Sequence, residues 1–425
     1  MPFLRAAFMA ATVLLCAPLA AQTSATLTLP QAFQRVVAAH PDLKRAQYLH
    51  EGATAEREAA AQRPALTAGI EIENALGSGP SKGFDAAETT LSLASVLERG
   101  GKRAARTALA QGRVAALDAT DESRRLDLLA EVARRYLDVL GAQALEDISD
   151  AEIAQRERTA KAASHRLTIG ASPQSVSLAA DAALARARLQ RQRARSARDA
   201  AARRLAVLWN EREPHIDRLS GDVLNIPAVP PLQALASLLD RSPELRRFAN
   251  EARVREARLQ LARAGESTDF QWQLGARRLE ATNEWAAVAG LSMPLGNRTR
   301  AQPAIRAARA DLATLELERE ADEISLYATL SEAHARLSGA TSEVNLARSE
   351  VLPRLAQAES AAERAYQSGA LSFLEWAQVQ SETADVRREQ LAAAIDAHRA
   401  LIEIQRLTGE SFLLSSSRSS AEPTR

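Results

Sequence analysis

"LTAGIEIEN", residues 66–74, sets Leu66, Ala68, Ile70 and Ile72 on one side of an extended chain and Thr67, Gly69, Glu71 and Glu73 on the other. A period of two marks a strand with two unlike faces. "FQWQLGAR", residues 270–277, repeats the pattern, with Phe270, Trp272, Leu274 and Ala276 against Gln271, Gln273, Gly275 and Arg277. "TTLSLAS" carries it more weakly through Leu91 and Leu93, and "WAAVAGLSM" through Trp285, Ala287, Ala289, Leu291 and Met293. The expected strands are 66–75, 88–96, 269–277 and 284–294. Each has the length that crosses a bilayer as a tilted strand, about 9–11 residues. Apolar-out, polar-in alternation is what a transmembrane barrel requires, and Trp285 near a strand end suits an interfacial aromatic girdle. Two soluble hairpins with one face on a core would alternate in the same way.

Counting edges limits the membrane case. Bacterial barrels begin at about eight strands, so four cannot close one. An open edge in lipid leaves backbone amides unpaired, at several kcal/mol each. If these strands span a membrane, identical chains must pool them around a central axis. The polar residues Glu71, Glu73, Gln271, Gln273 and Arg277 would then line the lumen.

Outward from the strands, the sequence echoes itself. "HPDLKRA" from His40 returns as "SPELRRF" from Ser242, an offset of 243 − 41 = 202 between the prolines. "TLSLASVLERGGKRAAR", ending at Arg106, is answered by "GLSMPLGNRTRAQPAIR", ending at Arg306. Gly170 of "HRLTIGASPQSVSLA" and Gly369 of "AYQSGALSFLEWAQ" stand 369 − 170 = 199 apart. "LAVLWNE" (Leu205 to Glu211) is matched by "IQRLTGE" (Ile404 to Glu410). Ordered anchors at one offset point to an internal duplication, with units at 22–225 and 226–412. Periods of 20–50 residues would signal a solenoid; this unit is a whole subdomain. Each unit is expected to open with one helix of about 35 residues (Leu29 to Arg63; Pro231 to Arg263), followed by two strands and then long helices joined at a glycine turn.

The long helices show in the spacing. Leu126, Leu129, Ala133, Leu137, Leu140, Ala144 and Ile148 step by threes and fours, as do Leu326, Leu330, Ala333, Leu337, Ala340 and Val344. That is a coiled-coil-like seam. A helix from Lys102 to Ala163 would be about 90 Å long. An ordinary helical bundle would give the same seams.

The ends and the bulk composition set the compartment. Residues 1–21 read as a signal peptide: Arg5, the apolar run "AAFMAATVLLCAPLA", then cleavage after Ala21. Cys16, the single cysteine, lies within it, and Leu15 is not the small residue a lipoprotein signal needs before it. No disulfide or thiol chemistry is expected after cleavage. No later apolar run approaches the roughly 20 residues of a spanning helix. The formal net charge of +1 shows no basic excess for nucleic acid. The arginine-rich stretch 186–204 reads as a solvated helix face. Residues 413–425 are expected to be a disordered tail.

With signal peptide, doubled halves, paired hairpins and very long helices together, the chain resembles the TolC family of outer-membrane efflux ducts, from Leu27 to Leu413. "LERGGKRAARTALA" (97–110) and "LSMPLGNRTRAQPAIRAARA" (291–310) are similar to its heavy-metal branch, the CzcC-like components of cobalt–zinc–cadmium systems. The resemblance implies a mainly α chain with a small transmembrane β part: a homotrimer with a shared twelve-stranded barrel in outer-membrane lipid and a long helical barrel in the periplasm. It implies a periplasmic adaptor and, through it, an inner-membrane pump of the resistance-nodulation-division type. It implies no catalysis and no cofactor. A multidrug or type I secretion duct of the same family, or a periplasmic coiled-coil scaffold, are the competing readings.

The resemblance places the adaptor-binding end at two turns: Gly170, Ala171, Ser172 and Pro173, and Gly369, Ala370, Leu371 and Ser372. Glycine allows the left-handed cap that ends one helix. Ser172 and Ser372 are expected to cap the next, with Pro173 at a first helical position. In the family a tyrosine, an arginine and carboxylates hold this end shut. Tyr366 matches the tyrosine and Glu375 one carboxylate, so these two are the expected gate residues, Glu375 as a cation-attracting ring or as a solvated charge. Leu371 stands for the arginine, and Gln378 and Val176 for the other acids.

Other chemistry is absent from the sequence. "GGKRA" (100–104) lacks the upstream glycine and the Ser or Thr of a phosphate loop; it is read as the turn from sheet to helix, with Lys102 and Arg103 at the membrane boundary. The six histidines show no ligand spacing, so no metal site is expected.

Overall fold

The computed structural model describes residues 26–214 and 216–412. The expected signal peptide with Cys16, His215 and the expected tail 413–425 lie outside the described residues. Along the chain run α1 (Leu29–Ala39), α2 (Pro41–Ala61), β1 (Thr67–Glu73), β2 (Glu88–Leu97), α3 (Lys102–Thr168) and α4 (Gln174–Ala206). The same order then recurs: α5 (Leu232–Leu239), α6 (Pro243–Ala264), β3 (Phe270–Leu279), β4 (Glu284–Ser292), α7 (Asn297–Leu346), α8 (Leu352–Ser368) and α9 (Phe373–Thr408).

The 35-residue opening helices are corrected: each is two helices, broken at Pro41 and Pro243. Proline has no N–H to donate and clashes with the carbonyl four residues back. At a first helical position the missing donor costs nothing. The residue before it then caps the new helix: His40 Nδ1 accepts from Asp42 N at 3.2 Å, and Ser242 Oγ from Leu245 N at 3.2 Å. The echo "HPD…SPE" is therefore a repeated helix start: cap, proline, acid.

α3 is continuous over 67 residues, about 100 Å. Its counterpart is interrupted by a π-turn at Ala347–Val351, just before Pro353, between α7 and α8. A wider turn there absorbs a residue that cannot donate to the α ladder. Both seams are at packed positions: Ala133, Leu137 and Leu140 are buried, as are Leu330, Ala333, Leu337, Ala340 and Val344.

The strands form one antiparallel sheet in the order β1-β2-β3-β4, leaving β1 and β4 as free edges. From the sheet, α3 runs beside α2 and α6, then beside α4 and α9 further along, while α7 packs on α6 and α9. The main core lies midway down the helices, where segments 207–214 and 216–231 wrap them. There Leu27 pairs with Leu219, and Leu27, Leu219 and Val223 pack on Tyr136, Leu137 and Leu205. Polar ties fix the wrap. Tyr136 Oη donates to the carbonyl of Leu27 (2.8 Å) or Ser220 (2.6 Å), and burial pushes its pKa to about 12. His398 Nε2 lies 3.0 Å from the Val223 carbonyl and His334 Nε2 3.0 Å from that of Pro230.

Candidate functional site

The sheet register sorts the strand residues. Glu71, Thr90, Arg277 and Ala286 are directly opposite one another across the four strands, and Gln273 is paired with Ala94 and Gly290. Glu71, Glu73, Gln271, Gln273 and Arg277 therefore share one face. Arg277 is its anchor. Its guanidinium reaches Glu73 at 2.7 Å and Glu88 at 2.6 Å, and Nε donates to Thr90 Oγ1 at 2.9 Å. The other face is apolar and bare: Ile70, Ile72, Leu91, Leu93, Leu274 and Leu291 are all exposed, Ile70 at 73%. Among the described residues no helix packs on it. Trp285, 65% exposed, closes this face at the far end beneath the Arg278 guanidinium, 5.7 Å from the ring centroid.

The sheet meets the helices through tight junctions. Gly100 has φ +69°, and a Cβ there would lie 2.1 Å from Ser267 Oγ. Asp269, just before β3, accepts from Arg99 N (2.9 Å) and Lys102 Nζ (2.6 Å). Arg106 pairs with Glu98 and donates to the carbonyls of Ala60 and Gln62. The stretch "LERGGKRAAR" thus stitches β2 to both neighbouring connections.

At the far end of the helices are the two glycine turns. Both close their helix in the same way. Gly170 and Gly369 are left-handed, and Ala171 N and Ala370 N reach back to the carbonyls of Arg166 and Ala365, each at 2.8 Å. They reopen differently. Ser372 Oγ accepts from Glu375 N, and the Glu375 carboxylate accepts from Ser372 N (3.0 Å) and Oγ (2.6 Å), a capping box. These bonds hold its carboxyl below the usual glutamate range. Ser172 is corrected: it makes no cap, Pro173 occupies the N-cap itself, and α4 starts one residue later at Gln174. A proline there offers no side-chain acceptor to the orphan amides.

Around the second turn the sequence reading missed most of the packing. Tyr366 stacks on Trp376 with centroids 5.0 Å apart and meets Phe373 edge-on at 6.3 Å. Leu371 packs into the same cluster. Arg166, from the first half, lies over the Tyr366 ring at 5.0 Å and donates to the carbonyls of Tyr366 and Ala171, joining the two turns. Burial raises the Tyr366 pKa, partly offset by the Arg166 charge and by Ser172, although among the described residues no group meets its hydroxyl in full hydrogen-bond geometry. At the 199-residue offset of the two turns Arg166 is the positional counterpart of Ala365 and Leu167 that of Tyr366, so the repeat gave no signal for Arg166. Gln378 is exposed and Val176 packs on Ala163 and Ala180.

Behind the turns, α3 and α9 are joined by buried polar groups. Gln380 bonds Thr159 and Arg156, and Arg388 bonds Glu152. Among the described residues, no three His, Cys, Asp or Glu side chains gather where a metal could be held, and no helix is long and apolar enough to cross a membrane.

An open sheet with one bare apolar face, continued by helices of this length, defines a channel-forming protein of the outer membrane with a large helical part in the periplasm. The chain belongs to the family described as outer membrane efflux protein, whose sequence profile matches residues 32–211 and again residues 234–410. It is 27% identical over 313 residues to the cobalt-zinc-cadmium resistance protein CzcC of Cupriavidus metallidurans, covering 74% of this chain and 75% of that one. Its fold matches the outer-membrane channel OprN with a TM-score of 0.75 at 19% identity, covering 90% of each chain. It matches CusC, solved in a study of transmembrane channel formation, with a TM-score of 0.75 at 15% identity, over 90% of this chain and 92% of that one.

Proposed function

We propose that three copies of this chain form a passive duct that carries heavy-metal cations outward from an adaptor and an inner-membrane pump of the resistance-nodulation-division type. The observation that carries the reading is the sheet: two free edges beside a bare apolar face. Three such sheets, joined edge to edge, give twelve strands and leave no unpaired edge in lipid. The apolar face then meets acyl chains, and Glu71, Glu73, Gln271, Gln273 and Arg277 face the lumen. The doubled element order supports a duplication, with units at 22–225 and 226–412.

The two glycine turns, at Gly170–Pro173 and Gly369–Ser372, are the periplasmic end that the adaptor contacts. Tyr366 and Glu375 stand at its constriction. The chain itself performs no catalysis and holds no cofactor; the pump selects the cargo. The metal assignment draws on the likeness to CzcC and on the stretches at 97–110 and 291–310.

Membrane extraction tests the duct. The protein should resist salt and carbonate, and in detergent it should run at three chain masses. A species that washes off, or runs as a monomer, rules out the shared barrel. Deleting the gene should sensitise cells to zinc, cobalt, cadmium, copper or silver. Unchanged tolerance to all of them would remove the metal reading and leave the duct.

A further inference from the structure

The two ends of the sheet carry opposite charge. At the helix-facing end, connections 62–66, 98–106, 263–269 and 293–300 hold eight Lys or Arg against three Asp or Glu, a balance of +5. At the far end, segments 71–88 and 277–284 hold three basic residues against six acidic ones, a balance of −3.

The three acids of the basic end are already engaged. Glu98 pairs with Arg106, Asp269 with Lys102, and Glu266 accepts from Gln302 at 2.8 Å. Six arginines remain: Arg63, Arg99, Arg103, Arg263, Arg298 and Arg300. All six are exposed, and none of their guanidinium groups makes a hydrogen bond or ion pair among the described residues. Arg99 fixes where this belt lies. Its guanidinium sits 5.2 Å from the ring centroid of Phe270, and Phe270 is the last apolar-face residue of β3 at that end. So cationic charge begins where the apolar face stops.

A belt of unpaired like charges repels itself. Beside an apolar band, an anionic membrane surface relieves that repulsion, because basic residues next to a membrane segment are drawn to acidic lipid headgroups. We infer that the belt docks the anionic phospholipid headgroups of the leaflet nearest the helices, and so sets the height of the sheet in the membrane. This rests on the reading that the apolar face meets lipid.

The test uses the full chain, purified in detergent and offered phosphatidylglycerol and phosphatidylcholine in competition, with retained lipid counted by native mass spectrometry. Phosphatidylglycerol should be retained preferentially. Each Arg→Gln change in the belt should cut the preference by up to about fivefold, added salt should weaken it, and R99Q/R103Q/R298Q/R300Q should nearly abolish it. Equal retention of both lipids, an undiminished preference in the fourfold variant, or stronger binding to cell-wall fragments than to phosphatidylglycerol would overturn the inference.

A nitroxide on Leu274→Cys separates this from the underlying reading. Relaxation by oxygen rather than by a water-soluble nickel chelate places that face in acyl chains. A lipid-embedded label with no lipid preference sinks the belt alone; a water-exposed label sinks both. The same label in the fourfold variant must report the wild-type environment, which keeps misfolding from imitating a loss of docking.

Discussion

The two glycine turns at the far end of the helices begin as near copies and finish as different objects. Each ends its helix on a left-handed glycine with the same backbone bonds. Beyond that point the second turn is capped by Ser372 and Glu375 and filled by Tyr366, Phe373 and Trp376. The first turn has no side-chain cap, and Ile169 beside it is 63% exposed. The backbone needs of a helix reversal are local and survive duplication. The packing around it is not local, so it is free to diverge. Here one turn is a built platform and the other leans on it through Arg166.

That contrast can be broken in order of effect. Trp376 is 2% exposed and stacked on Tyr366, so Trp376→Ala should cost the α8–α9 hairpin about 3–5 kcal/mol. Amide exchange should show this opening there and far less in the α3–α4 hairpin; equal loosening of both would mean the turns are one cooperative unit.

Next comes the bridge. Arg166→Ala removes the bonds to the Tyr366 and Ala171 carbonyls and the contact with the ring, a loss of about 1–3 kcal/mol. Exchange should rise at both turns together, because both use this side chain.

The glycines should behave alike. At φ +70° and +84°, with no close atom beyond ordinary contact, Gly170→Ala and Gly369→Ala should each cost about 1–2 kcal/mol. A large difference in measured thermal stability between the two would place the asymmetry in the backbone instead of the packing.

The caps differ least in energy but most cleanly in kind. Ser372→Ala should cost about 1 kcal/mol, whereas Ser172→Ala should stay within about 0.5 kcal/mol.

Glu375 adds a pH signature. Its bonds to Ser372 hold its pKa low. The stabilisation is complete above the ordinary glutamate value and is lost as pH falls through the lowered one. Amide protection at the second turn, measured relative to the intrinsic exchange rate at each pH, should therefore fall in acid, and Glu375→Gln should flatten that fall; the first turn should show neither.

Much of this was readable residue by residue. The period of two in "LTAGIEIEN" and "FQWQLGAR" found the strands, and edge counting asked for shared closure. The seam through Leu126 to Ile148 found the long helix. The readings that failed were about competition. Pro41 and Pro243 were read as helix interior because the flanking pattern stays helical, yet a missing donor outweighs propensity. Ser172 was read as a cap because its residue type suits one, but the chain reversed one residue later.

By itself, the sequence determined everything set by near neighbours along the chain: strand periodicity, helix seams, proline starts and glycine reversals. Each depends on bonds made within a few residues. The tertiary structure alone decided which side chains meet between the two halves, as Arg166 meets Tyr366, and which arginines at the sheet's end remain unpaired among the described residues. Those outcomes depend on how helices far apart in sequence lie together, and no local pattern encodes that distance.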